Sequence, residues 1–345
     1  MKVFEAISSV LNQQIPFVCY VKPNETVWNL LQQKNDELVD FSGQAGFIFV
    51  PFDEGTQVII PFEGNSFSQG TLENIKKTTI SSFPNSESNQ KEAFENLVSK
   101  GITAIENSAF EKVVLSRKIV LETQLAIIET FKNLIVSYPT AFRYLFFHPK
   151  IGLWMGASPE QLVKINQNQF ETVALAGTQL FAENIHWATK EIEEQQFVVD
   201  YLVSNLQNKV KNLHVSEQKT VQAGNLAHLK SIISGTVATE YNELDLVKAI
   251  HPTPAVCGLP KELAKDFILK NEGYHRKYYT GFLGEYNLEN TTDLFVNLRC
   301  FEIEKNSVTL YVGCGITKDS HPEKEYIETE NKSMTMRNVL VVSGK

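Results

Sequence analysis

No stretch of this 345-residue chain holds enough uninterrupted apolar residues to span a bilayer. Its first twenty residues, MKVFEAISSVLNQQIPFVCY, break their apolar content with Glu5, Asn12, Gln13 and Gln14, so neither a membrane span nor a secretory leader is expected, and the protein is read as soluble and cytoplasmic. Cysteine is scarce. The four, at 19, 257, 300 and 314, show no CxxC spacing, which fits free thiols in a reducing compartment and not a zinc site. A basic excess is also missing: 32 Lys and Arg against 40 Asp and Glu give a formal charge of -8, which argues against nucleic acid or an anionic membrane as partner. Gly313 and Gly315 are followed by Lys318 where a dinucleotide loop needs a third glycine, and no G-K-[ST] occurs. None of the seven histidines has metal-ligand spacing, and no Ser or Cys sits in a nucleophile elbow. Hydride transfer, nucleoside triphosphate hydrolysis and triad hydrolysis are therefore poor candidates.

What is present is a substantial apolar fraction, 43%, enough for a sizeable core. The first hundred residues alternate short apolar runs (IPFVCYV, AGFIFVPF, TQVIIPF) with polar turns, the pattern of strands and hairpins. The polar stretch SSFPNSESNQK is read as a surface loop, since composition does not change across it, and the chain as a single domain in which 1–90 form a front subregion and 91–340 carry the motifs. Helices are expected over KEAFENLVSKGITAIENSAF, KEIEEQQFVVDYL and its continuation to 210, NELDLVKAI and PEKEYIETENKSMTMRNVL. Strands are expected at EKVVLSRKIVLET, TAFRYLFFH, GLWMGAS, QFETVALAG, TGFLGEYN, TDLFVNLRCFEI and VTLYVGCGIT. Strands cluster more than they alternate with helices, which predicts an α+β fold with antiparallel sheets.

The helix at 190–202 raises a chemical question. Val198, Leu202, Leu206 and Val210 form one apolar row, with Phe197 and Tyr201 alongside, and extending the row backwards reaches Glu194 and Glu191 while Glu193 points away. A second E-x-x-E pair, Glu325 and Glu328, lies in the last helix. Either pair alone fits a solvated first turn at a helix N-terminus. Four inward carboxylates sharing a pocket would raise one another's pKa, and a hard divalent ion such as Mg²⁺ would resolve that conflict. Lys112 opens a strand, where an exposed edge lysine is the common case; facing a pocket with Val114 and Ser116, it would serve as a base. Glu160 follows a strand in GASPE, a position usual for a turn acid. LAGT (175–178), HPTPAVCGLP (251–260) and YVGCGIT (311–317) are small-residue turns whose backbone N–H groups suit an anion.

Taken in order, EKVVLSR, GASPEQLV, ALAGT, KEIEEQQFVVD, AIHPTPAVCGLP, TGFLGEY, VNLRCFEI, YVGCGIT and EYIETENK resemble the chorismate-utilising enzymes, and among them the isochorismate synthases. The resemblance spans residues 110 to 335 and leaves the front hundred uncovered. It implies two antiparallel sheets sandwiched between helices, with a deep cleft as active site. It also implies a Mg²⁺-dependent, reversible isomerisation of chorismate, in which water adds at C2 while the C4 hydroxyl leaves. In that scheme Lys112 matches the general base and Glu160 the general acid. Glu194 and Glu328 match the metal ligands, Glu191 and Glu325 the acids reaching the ion's waters, and Gly177, Thr178, His228, Ala255, Arg299, Gly313 and Lys332 the substrate site. Arg299 and Lys332 would grip the enolpyruvyl carboxylate. Relatives that use ammonia typically carry threonine where this chain has Ala255, so no glutaminase subunit is expected as partner. Two rival readings stay open: a salicylate synthase that goes on to eliminate pyruvate, and a catalytically inert relative that only binds chorismate-like anions. The resemblance leaves menaquinone or siderophore biosynthesis as the destination.

Overall fold

The computed structural model describes residues 2–73, 75–83, 88–183, 185–223 and 226–343. One sheet runs, in spatial order, β14 (Gly258–Leu259), β6 (Lys112–Leu121), β18 (Val308–Ile316), β17 (Cys300–Ile303), β8 (Gly152–Ser158), β7 (Phe142–His148), β1 (Phe17–Val21), β2 (Val27–Gln32) and β5 (Ser66–Thr71). The other runs β11 (Val210–Val215), β13 (Leu226–Val237), β10 (Gln169–Leu180), β9 (Gln161–Asn166), β16 (Thr291–Val296), β15 (Phe282–Leu288), β3 (Gly46–Val50) and β4 (Val58–Pro61), with β12 (Lys219–Ala223) paired to β13. All these pairings are antiparallel. The helices are α1 (Lys2–Asn12), α2 (Ser88–Glu106), α3 (Ile127–Ser137), α4 (Thr189–Leu206), α5 (Glu243–Ile250), α6 (Lys261–Asn271) and α7 (Pro322–Arg337). The expected α+β architecture is what the chain adopts.

Side-chain alternation explains why central strands carry unbroken apolar runs. In β1, Val18 and Tyr20 face the space between the sheets, while Phe17, Cys19 and Val21 face α1 and α3. In β3, Phe47 and Phe49 point between the sheets, and Ile48 and Val50 point towards the core under α4 and α5. Rings interlock across the gap, with Phe142 and Phe295 stacked at 4.3 Å and Phe49 lying 4.7 Å from Phe146. Each fully buried ring or aliphatic chain of this kind contributes about 1.5–3 kcal/mol. The front of the chain is integral to both layers, supplying β1, β2 and β5 to one sheet and β3 and β4 to the other.

Several local expectations need correction. Val198, Leu202 and Leu206 are buried as the apolar row required, but Phe197 is 51% exposed, and Val210 is buried as part of β11 because α4 ends at Leu206. TDLFVNLRCFEI is not one strand: it breaks between Val296 and Cys300, where the chain crosses from the second sheet to the first through Arg299 at φ 49°. The N-terminal stretch is a helix whose Val3, Phe4, Ile7 and Val10 are buried, and the polar residues that interrupt the linear pattern, Glu5 and Asn12, face solvent. α3, α6, β2, β5, β9 and the β11–β13 group were not anticipated either, since short or half-polar segments acquire their pattern only from neighbours. Most of the polar stretch at 81–91 begins α2 or lies outside the described residues. No helix among the described residues is long and apolar enough to cross a membrane.

Candidate active site

Lys112 is not an edge lysine. β14 covers one side of β6 and β18 the other, leaving the Lys112 side chain 16% exposed with its Nζ 3.0 Å from Glu194 Oε1 on α4. Gly315, on the neighbouring β18, makes room for it: a Cβ there would stand 3.1 Å from Lys112 Cε. Glu160 sits where β8 hands over to β9, and its backbone carbonyl accepts from Val296 N–H at 3.0 Å. Its carboxyl receives a long hydrogen bond, 3.4 Å, from Thr253 Oγ1. Part of the residue's surface is open, but protein crowds the carboxyl. Burial pushes its pKa up to about 7, against the opposing pull of the Thr253 hydroxyl and the Lys112 charge. A carboxylic acid protonated near neutrality thus lies within electrostatic reach of a lysine.

The first acid pair lies beside that lysine, on α4. Gly177 of β10, at φ 68°, lets the strand approach the first turn of α4, and a Cβ there would meet Glu191 Cβ at 3.2 Å. Glu191 and Glu194 are half-buried, Glu193 is exposed, and Glu191 Oε2 is buried without a hydrogen-bond partner. On α7, Glu328 pairs with Lys332 at 2.5 Å, and burial raises the Glu325 carboxyl, with Glu328 adding to the shift and Ser320, Cys314 and Lys332 opposing it. Among the described residues no three metal-ligating side chains converge, and Glu194 and Glu328 each lean on a lysine instead. The donor chemistry nonetheless fits a hard divalent cation. All four candidates are carboxylates, one buried oxygen has no partner, and one acid is pushed up partly by its neighbour.

A second group gathers around α7. Arg299 Nη1 donates to Lys332 O at 3.0 Å and to Thr335 Oγ1 at 3.3 Å, and Lys332 Nζ donates to Gly313 O at 3.0 Å. Burial lowers the Arg299 pKa, while Tyr279, Tyr138 and Glu328 pull it back. A non-glycine residue at φ 49° is strained, and such strain concentrates where function holds a side chain in place. His228 Nδ1–H donates to Gly177 O at 3.0 Å and stands opposite Thr178 in the β10–β13 ladder; the Thr178 side chain lies outside the described residues. Ala255 occupies the turn closed by Val256 N–H and Cys257 N–H on Thr253 O. Sequence reasoning missed Thr253 as a partner of Glu160, although it had marked HPTPAVCGLP as a turn suited to an anion. An open groove of about 1140 Å³ between α1, α3 and the stretches 71–73 and 75–78 contains none of these groups.

A family model described as "Chorismate binding enzyme" matches residues 62–341. The chain belongs to this family. The isochorismate synthase DhbC of Bacillus subtilis is 31% identical over 276 residues, covering 73% of this chain and 69% of that protein. The isochorismate synthase EntC of Escherichia coli K12 is 28% identical over 310 residues, covering 84% and 79%. Among solved structures, MenF, the menaquinone-specific isochorismate synthase from Escherichia coli, superposes with a TM-score of 0.81 over 94% of this chain and 89% of that one, at 19% identity. The fold shared with MenF extends through the front of this chorismate-binding enzyme, where the sequence carries none of the nine motifs.

Proposed function

We propose that the protein is an isochorismate synthase, converting chorismate reversibly to isochorismate. The observation that carries the reading is a Glu160 carboxyl raised to about 7 by burial and lying close enough to Lys112 to feel its charge. Paired proton acceptor and donor are what a displacement of hydroxyl by water needs. Lys112 takes a proton from water as the oxygen bonds C2; the two ring double bonds shift, the C4–O bond breaks, and Glu160 protonates the departing hydroxyl, which leaves as water. Arg299 and Lys332 hold the enolpyruvyl carboxylate, and Gly177, Thr178, His228, Ala255 and Gly313 shape the remaining wall. Glu194 and Glu328 would hold Mg²⁺, with Glu191 and Glu325 reaching its waters. Bound there, the ion offsets charge on the ring carboxylate. The DhbC, EntC and MenF relatives support the assignment.

The test is to incubate purified protein and chorismate with Mg²⁺ or with EDTA and resolve the products. A chorismate and isochorismate mixture that depends on Mg²⁺ is expected. Salicylate with pyruvate would reassign the protein to the lyases, and unchanged chorismate would leave it a binding protein. Lys112→Ala is expected to abolish turnover while the protein still unfolds cooperatively, and near-normal activity in that variant would sink the mechanism.

A further inference from the structure

Behind the acid and base lies a buried ion pair that the proposed chemistry does not use. Arg276 and Glu272 have side chains 2% and 1% exposed. Arg276 Nη2 donates to Val114 O at 2.7 Å and to Glu272 Oε1 at 2.5 Å, and Nε donates to Glu272 Oε2 at 2.8 Å. Nη1 donates to Val256 O at 2.9 Å and to Thr280 Oγ1 at 3.2 Å. Glu272 Oε1 in turn accepts from Ser116 N–H at 2.7 Å and Ser116 Oγ–H at 2.9 Å.

These contacts join β6, the turn at 251–257 and Thr280. Val114 and Ser116 are two and four residues beyond Lys112 on β6, on the face Lys112 uses. Val256 belongs to the turn whose Thr253 donates to Glu160, and Thr280 O accepts from His251 Nε2–H at the start of that turn. Replacing a buried ion pair with apolar side chains of similar volume is often neutral or stabilising, so stability alone does not account for this one. A guanidinium offers five donors in a planar fork, and here it reaches a carboxylate, two backbone carbonyls on separate segments and a hydroxyl at once, which lysine cannot do.

We propose that the Arg276–Glu272 pair is a positioning device that fixes the strand bearing Lys112 relative to the turn bearing Thr253, and through Thr253 the orientation of the Glu160 carboxyl. The inference rests on the acid and base roles given above.

The decisive variants are Arg276→Met with Glu272→Met, which removes both partners together, and Arg276→Lys, which keeps the charge but loses the fork. Three quantities are read: cooperative thermal unfolding, kcat and KM for chorismate with Mg²⁺, and the Glu160 carboxyl titration in substrate-free protein, by infrared difference against Glu160→Gln. In the double variant kcat is expected to fall about 10- to 100-fold with KM changed less than about threefold, as misplacement of a reacting group costs rate more than binding. The Glu160 midpoint should move down from about 7 towards the ordinary carboxylate range as its cover loosens, with Lys112 and Thr253 the groups facing it. Arg276→Lys should shift kcat and midpoint in the same directions, and it decides the matter if the double variant does not fold. A folded variant with unchanged kcat and midpoint overturns the proposal, as does a loss of kcat accompanied by lower thermal stability with the midpoint unmoved. The titration needs no substrate, so a wild-type protein inert towards chorismate would refute the synthase reading while the midpoint still judges the positioning role.

Discussion

Glu160 ties chemistry to stability in a way that can be measured. Its folded pKa of about 7 lies above the ordinary carboxylate value of 4.5, so the fold favours the protonated form. The group's contribution is therefore intact below pH 4.5 and is lost as pH rises through 7, because the ionised carboxylate is penalised by burial. Glu160→Gln lacks that penalty. Its stability relative to wild type is expected to increase between pH 5 and 8, by at most on the order of 3 kcal/mol, in denaturant unfolding series. Its kcat should fall about 10²- to 10⁴-fold. As a proton donor, wild-type Glu160 works only while protonated, so kcat/KM should show an alkaline limb near pH 7, and a limb that persists in the variant would assign it to another group. At this scale the sequence exposed what short motifs contain: Lys112, Glu160, Glu191, Glu194, Arg299, Glu325, Glu328 and Lys332 could each be singled out, and the structure pairs Lys112 with Glu194 and gathers Arg299 and Glu328 about Lys332. Thr253 and Arg276 could not be assigned roles, because the Thr253 partner lies 93 residues away and two of the five Arg276 bonds end on backbone carbonyls that no residue type encodes, one of them 162 residues away.

The helix α4, which carries the first acid pair, is held by ordinary apolar packing, and a catalytic element can therefore be weakened from its far side. Leu202, 2% exposed, lies on the buried row of α4 about two turns beyond Glu194. Leu202→Ala is expected to cost about 2–5 kcal/mol, with Tm lowered accordingly, whereas Phe197→Ala, on an exposed position of the same helix, should fall within about 0.5 kcal/mol of wild type. Comparable losses from the two would mean that the buried row is wrongly placed. The period of that row was legible because a helix against a sheet buries every third or fourth residue. The break inside TDLFVNLRCFEI was not, because both halves are good strand and only the left-handed turn at Arg299 sends them to different sheets. The N-terminal helix escaped for the opposite reason: polar residues that look like interruptions in a line become the wet face of a helix.

For the molecule as a whole, clustering of strands correctly implied antiparallel sheets, while the pairing order, with β6 next to β18 and β1 next to β7, depends on contacts that composition does not encode. The place of the front residues was equally hidden. Since β1 pairs with β7 and β3 with β15, deleting residues 1–80 would strip partners from both sheets and leave long apolar edges, so the truncated chain is expected to aggregate, as measured by light scattering and loss of cooperative unfolding. A soluble, cooperatively folding truncation would show that those strands are dispensable. The central claim is that water, activated at Lys112, supplies the new hydroxyl. It is tested most directly by running the reaction with chorismate and Mg²⁺ in ¹⁸O-enriched water and weighing the products. Isochorismate carrying one heavy oxygen at C2 is predicted; isochorismate without label would mean that the original hydroxyl migrates and would contradict the mechanism.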